Sequence, residues 1–293
     1  MRLVVLGGSA PSTPELFEAI EAWPGGLDRR PALEVVLVGR DPKKLQLVAA
    51  ASRTRLSGSG RRVEVVAEPH EERALDGADV VLEQVRIGGL EARAFDESFP
   101  RAFGLPGEET MGPGGFANAL RTVPALRATW GRIALRAPRA LVIDLTNPAG
   151  IVAHAARAEH DLQLVSVCDA PVTFLETIGP RLGLDREALT GHYVGMNHVG
   201  WFVPERPEDL RAIADVSPGV DAAVGPLYGA QPTAYVRFYL HPDRMLQAQR
   251  GTPTRAEQLQ APEPHRPVGL GARAFDHSPR RAWRDDCRRR GRT

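Results

Sequence analysis

Apolar residues in this chain gather in short unbroken runs, and the stretches between the runs carry helical spacing. The runs are "RLVVLGG", "ALEVVLVG", "RRVEVVAE", "ADVVLEQV", "RALVIDLTN" and "LQLVSVCD", in that order. A run that is apolar at nearly every position, and not only at alternate ones, marks a strand covered on both faces. The intervening segments read as helices. In "PSTPELFEAI", Thr13 is placed to cap a helix and Pro14 to fill its first position, and "PKKLQLVAAASRTRL" is a second helical stretch. Strands alternating with helices predict an α/β fold, a Rossmann-like doubly wound parallel sheet.

Composition narrows the partners. The chain has 293 residues, 43% hydrophobic and 25% charged, with a net charge of +1. Such a balance gives no reason to expect nucleic acid or an anionic membrane surface. No segment is apolar for the length of a membrane span, and the N-terminus lacks a secretory pattern, so a cytoplasmic protein is expected. Two cysteines, Cys168 and Cys287, are too few for a disulfide framework and suit a reducing compartment. From Ala261 to Thr293 the sequence turns rich in Arg and Pro without apolar periodicity, the composition of a disordered basic tail.

Candidate chemistry collects at the ends of the apolar runs. Gly7, Gly8 and Ser9 follow the first and form a strand–glycine–helix start of the kind that holds a pyrophosphate, although the full G-x-G-x-x-G fingerprint is absent. The second run ends in Arg40-Asp41; Asp41 is the acid placed for a ribose, Arg40 suits a 2′-phosphate, and a surface pair opening a helix reads equally well. Arg86 follows the fourth run, Asn147 the fifth, and Cys168-Asp169 the sixth, so all four are expected to border one crevice at the carboxyl edge of the sheet. Cys168 and His198 could share a divalent metal with positions left open for substrate, or both could be packed core residues. Tyr235 and Tyr239, four apart with Arg237 between them, read as interface aromatics on one helical face, or as a proton acceptor beside a bound cation.

Seven motifs in order, "GGSAPSTPEL", "QVRIGG", "GEETMGPGGFANALRTVP", "DLTNPAGIV", "VCDAP", "YVGMNHVGWF" and "AYVRFYLHPD", resemble the NAD- and metal-dependent family 4 glycoside hydrolases. These are 6-phospho-α- and 6-phospho-β-glucosidases, and the resemblance runs from Met1 to about Glu257. It implies an elimination assisted by oxidation: NAD⁺ takes hydride from C3 of the sugar, a tyrosine removes the acidified C2 proton, the C1 group leaves, and water adds before the hydride returns. By the same resemblance Tyr235 is the base and Asp169 the acid position of α-acting members. Arg86, Asn147 and Arg255 meet the substrate, Gly7, Gly8, Ser9 and Asp41 the NAD, and Cys168 and His198 hold Mn²⁺ or another divalent metal. Asp169 leans towards α-glucosides and "RIGGLEAR" towards β-glucosides, and the longer stretch is weighed more heavily. Where relatives carry a lysine near the tyrosine, this chain has Ala102, with Arg101 beside it.

The implied organisation is an NAD-binding domain over 1–195, an incomplete α+β substrate and metal domain over 196–260, and the tail over 261–293. The family resemblance fades after "TRAEQLQ", so the chain is expected to be truncated relative to the family. The expected partner is a small phosphorylated glucoside, with a homo-oligomer if the C-terminal region suffices. A lactate- or malate-type dehydrogenase and an inactive nucleotide-binding remnant are the alternatives.

Overall fold

The computed structural model describes residues 1–22, 32–56, 62–184 and 188–261. All six apolar runs form strands: β1 (Arg2–Leu6), β2 (Leu33–Val38), β3 (Val63–Ala67), β4 (Val80–Glu83), β5 (Leu141–Asp144) and β6 (Gln163–Ser166). They make one parallel sheet in the order β3-β2-β1-β4-β5-β6. Helices cover both faces: α1 (Thr13–Ala22), α2 (Pro42–Leu56), α3 (Glu71–Leu75), α4 (Gly89–Ser98), α5 (Gly112–Arg136), α6 (Ala149–Glu159) and α7 (Ala170–Arg181). None of the described helices is long and apolar enough to cross a membrane.

The continuous apolar runs are explained by the two covered faces. Val4, Leu6, Val36, Val38, Val81 and Val142 pack towards Leu126, Trp130 and Ile133 of α5 and Val152 of α6. The intervening Val5, Val35 and Leu37 point the other way, to Phe17 of α1 and Leu45 and Ala49 of α2. Each fully buried aliphatic side chain contributes roughly 1.5–3 kcal/mol of apolar transfer free energy, so both faces are strongly specified.

The chain moves outward from β1 to β3 and then returns to lay β4 against β1. Loops leaving β1 and β4 therefore run to opposite faces and open a crevice between them, the place where doubly wound sheets bind ligands. Its floor carries two buried acids on paired positions, Glu83 of β4 and Asp144 of β5. Trp130 Nε1 donates to Glu83 Oε2 at 3.2 Å, whereas Glu83 Oε1 has no hydrogen-bond partner. Burial first, and the neighbouring Asp144 second, push the Glu83 pKa up to about 8. Asp144 is satisfied by the Thr146 N–H and the Ser166 hydroxyl, each at 2.8 Å.

A second, antiparallel sheet follows, made of β7 (Gly191–Met196), β8 (Val199–Pro204) and β9 (Gln231–Pro232). The helices here are α8 (Asp209–Val216), α9 (Val224–Tyr228), α10 (Arg237–Leu240), α11 (Pro242–Gln249) and α12 (Arg255–Gln260). Its core gathers Phe174 and Ile178 of α7 with Phe202 and Ile213. The division expected at 195/196 thus falls inside β7, and the change of sheet lies between Arg181 and Gly191. Helix α12 starts with a capping box between Thr254 and Glu257 and docks on α4 through Ala256 N–H to Glu97 Oε2 at 2.9 Å. Of the expected basic tail, 262–293 lies outside the described residues.

Candidate active site

The β1–α1 turn explains its glycines by its own packing. Gly7 has φ +87°, and the N–H groups of Gly7 and Gly8 donate to the Val38 carbonyl at 3.1 and 2.7 Å. A Cβ on Gly8 would lie 2.8 Å from Leu37 Cβ and 2.9 Å from Val38 N. Gly8→Ala is therefore expected to destabilise the fold by about 1–3 kcal/mol in urea unfolding, because strands β1 and β2 cannot part without breaking their ladder. An unchanged midpoint would show that the turn relaxes freely.

Beyond this turn lies a cleft of about 230 Å³ lined by Ala10, Ser12, Gln84, Arg86, Asn118 and Asn147, among others. It sits where β1 and β4 diverge, the place where doubly wound sheets bind ligands, and polar side chains converge there. A wider depression of about 550 Å³ on α2, lined by Pro42, Lys43, Gln46 and Leu47, has one helix for a wall and no converging polar groups. Asp41 is turned to a local task. Its Oδ1 accepts from the N–H groups of Lys43 and Lys44 at 3.0 and 3.2 Å, capping α2, and both Arg40 and Asp41 are exposed. Ser9 packs against Gly39, where a Cβ would meet its Oγ at 2.7 Å.

Cys168 and His198 come together although one ends β6 and the other turns the β7–β8 hairpin. Cys168 Sγ stands 3.4 Å from His198 Nε2. His198 is 4% exposed and holds φ +60°, a left-handed conformation that costs an L residue on the order of 1 kcal/mol and points to a function for the turn. Burial pushes its pKa down to about 4, against a smaller upward pull from Asp169, so the imidazole is neutral, the form that ligates metals. Two donors bound at roughly 2.1 and 2.3 Å to one ion, at tetrahedral to octahedral angles, stand about 3.1–3.6 Å apart. The observed spacing fits a shared ion. Among the described residues no group of three or more His, Cys, Asp or Glu gathers, so the remaining positions would fall to substrate and solvent.

The Tyr235 ring stacks on His198 at 3.8 Å between centroids and 3° between planes. Burial first, then Glu108, Cys168, Asp169 and Glu109, push its phenol well above the ordinary range. Tyr235 lies in a 3-10 turn, Ala234–Val236, ahead of α10, and Tyr239 is 54% exposed, so the two tyrosines do not share a helical face or a task. Asp169 is exposed at the start of α7, its Oδ1 4.0 Å from the Cys168 sulfur.

The loop "GEET" ties the cleft to the Cys168–His198 pair through its side chains. Glu109 forms ion pairs with Arg86 and, at 3.2 Å, with Arg93. Thr110 Oγ1 lies 2.5 Å from His198 Nδ1 and 2.5 Å from Glu108 Oε2. Burial raises the Glu108 pKa to about 7, partly offset by the two Thr110 donors. The only sequence signal for this loop was two adjacent acids ahead of a glycine-rich helix start. Arg255 does not line the cleft: it is exposed and donates to Gln258 at 3.3 Å. Arg101 donates to the carbonyls of Gln249 and Thr252 at 3.2 and 3.1 Å, anchoring the α11–α12 connection.

A model of family 4 glycosyl hydrolases matches residues 4–184. A phospho-alpha-glucosidase of Clostridium acetobutylicum is 26% identical over 88% of this chain and 64% of its own length. A probable 6-phospho-beta-glucosidase of Bacillus subtilis is 31% identical over 68% of this chain and 45% of its own length. The chain therefore spans less than two thirds of these relatives. The 6-phospho-beta-glucosidase of Thermotoga maritima, solved with manganese, NAD⁺ and glucose-6-phosphate, superposes with a TM-score of 0.78 at 25% identity, covering 89% of this chain and 65% of that one.

Proposed function

The chain belongs to family 4 of the glycosyl hydrolases, and from that membership we propose that it hydrolyses 6-phospho-β-glucosides with NAD⁺ and a divalent metal, Mn²⁺ foremost. The observation that carries the reading is the Cys168–His198 pair beneath the Tyr235 ring, joined through Thr110 and Glu109 to Arg86 in the switch-point cleft. When bound, NAD⁺ supplies a hydride acceptor and the metal a Lewis acid for neighbouring sugar oxygens.

The side chains supply the rest. Cys168 and His198 would hold the metal, and the β1–α1 turn with Ser9 and Asp41 would border the dinucleotide. Arg86 presents a forked donor to the phosphate or sugar hydroxyls, and Asn147 lines the same cleft. Arg255, the third position implied for substrate, would have to swing in from α12. Tyr235 takes the C2 proton. Left to its own residues the chain keeps the phenol protonated, so that step waits for positive charge beside it. Asp169 stands exposed beside Cys168 at the start of α7, where it would protonate a leaving oxygen. A cytoplasmic setting belongs to the same proposal, since a thiol ligand persists in a reducing compartment.

A second reading, hydrolysis of 6-phospho-α-glucosides, is favoured by that acid beside Cys168. One assay tests both. Nitrophenyl β- and α-glucoside 6-phosphates are offered with NAD⁺, Mn²⁺ and a thiol reductant, then with each omitted in turn. Turnover is expected to require all three and to be faster for the β anomer. Net NADH accumulation from a hydroxy acid without metal would instead indicate a dehydrogenase, and NAD⁺ binding without turnover a nucleotide-binding remnant.

A further inference from the structure

We propose that Glu108, acting through the Thr110 hydroxyl, holds His198 in its Nδ1–H tautomer so that Nε2 offers a bare lone pair on the side facing Cys168. Glu108 and Thr110 are positioning residues in this account, which rests on the reading of Cys168 and His198 as the metal-holding pair.

The argument is a count of protons. Thr110 Oγ1 has one proton and two close neighbours, Glu108 Oε2 and His198 Nδ1, each at 2.5 Å. Glu108 Oε2 already accepts from the Thr110 backbone N–H at 2.6 Å, and as a carboxylate it has only lone pairs to turn towards the hydroxyl. The hydroxyl proton therefore goes to Glu108. What Thr110 turns to the imidazole is a lone pair, and Nδ1 must donate to it. An imidazole that ligates a metal carries a single N–H, and with that proton on Nδ1 the Nε2 is bare, 3.4 Å from the sulfur. Reversing the order would set two lone pairs against each other at 2.5 Å.

The remaining freedom of the ring is removed separately. Stacking on Tyr235 fixes its plane, and the left-handed turn fixes the backbone. Neither distinguishes the ring from its flipped copy, which would put Cδ2 where Nδ1 stands and Cε1 where Nε2 stands, and so lose both the Thr110 bond and the nitrogen facing Cys168. Partners beyond the ligands that fix a histidine tautomer in this way typically change metal affinity by roughly 10–100-fold when removed.

The test uses the metal-free chain with ¹⁵N-labelled histidine at pH 8, the His198 signals being assigned with a His198→Gln variant. Long-range ¹H–¹⁵N correlation is expected to show a protonated Nδ1 and a bare Nε2. Thr110→Val, close in shape but without the acceptor, is expected to lose that pattern and to weaken Mn²⁺ binding by roughly 10–100-fold in calorimetric titration. Thr110→Ser, and Glu108→Gln with its carbonyl acceptor, should restore both readouts, while Glu108→Leu should behave like Thr110→Val. Thermal melts by circular dichroism check that each variant folds. A proton on Nε2 in the parent chain, or parental Mn²⁺ affinity in a folded Thr110→Val, overturns the inference. A parent chain with the Nδ1–H tautomer that binds no Mn²⁺ upholds the relay and overturns the metal reading.

Discussion

Replacing Glu83 by Gln is expected to leave stability nearly unchanged near pH 4.5 and to make the fold more stable than the parent by on the order of 4 kcal/mol above pH 8. The side chain is fully buried, and its folded-state pKa of about 8 stands above the ordinary value of 4.5. Between those values the folded parent binds one proton more than the unfolded chain. Its stability therefore falls as pH rises through that window, by up to about 1.4 kcal/mol per unit, and levels off above it. Gln cannot titrate. It keeps an acceptor for the Trp130 indole and presents an N–H donor towards the strand that carries Asp144, in place of an oxygen with no partner. Urea unfolding of both chains from pH 4.5 to 9 measures the difference directly. Parallel curves would mean that Glu83 keeps the same charge folded and unfolded, and that the floor of the crevice is wetter than its burial indicates.

Much of the architecture was legible because burial on both faces writes itself into sequence as unbroken apolar runs. Each of the six runs is a strand, and helical spacing between them located α1 and α2. The hairpin β7–β8 was harder to place. "GHYVGM" and "VGWFVP" flank a two-residue turn, and its left-handed residue is His198, not a glycine that would have announced it. Pairings across long separations left no local trace either. Glu83 and Trp130 are 47 positions apart, and Thr110 and His198 are 88 apart.

At the site, the sequence identified residue types better than their tasks. Cys168 and His198 stood out because a thiol and an imidazole in apolar settings are uncommon, and they do meet. Asp41 shows the opposite case. An acid just after the second strand suits a ribose, yet Asp-Pro-Lys-Lys also starts a helix, and its carboxylate serves the nearer N–H groups. Glu108 and Thr110 were hidden in a glycine-rich segment whose glycines drew the attention. There, Gly114 and Gly115 leave no room for a Cβ against the carbonyls of Asp96, Glu108 and Thr110, so the glycines shape the loop and its polar residues link the cleft to the Cys168–His198 pair.

Tyr235→Phe is expected to lower turnover by roughly 10²–10⁴-fold, the range for loss of a positioned acid–base group, while leaving Mn²⁺ affinity close to that of the parent. The separation follows from what the substitution removes. Phe keeps the ring that stacks at 3.8 Å on His198, so the imidazole stays in place over Cys168. Only the phenolic oxygen is lost, the group proposed above to accept the sugar C2 proton. Solvent deuterium should therefore cease to enter C2 of recovered product, a readout that simple loosening of the fold would not give. Tyr239→Phe is the matched control: Tyr239 is 54% exposed and carries no part of the site, and it should leave rate and deuterium incorporation unchanged. Deuterium incorporation persisting in Tyr235→Phe at the parental rate would assign the base elsewhere.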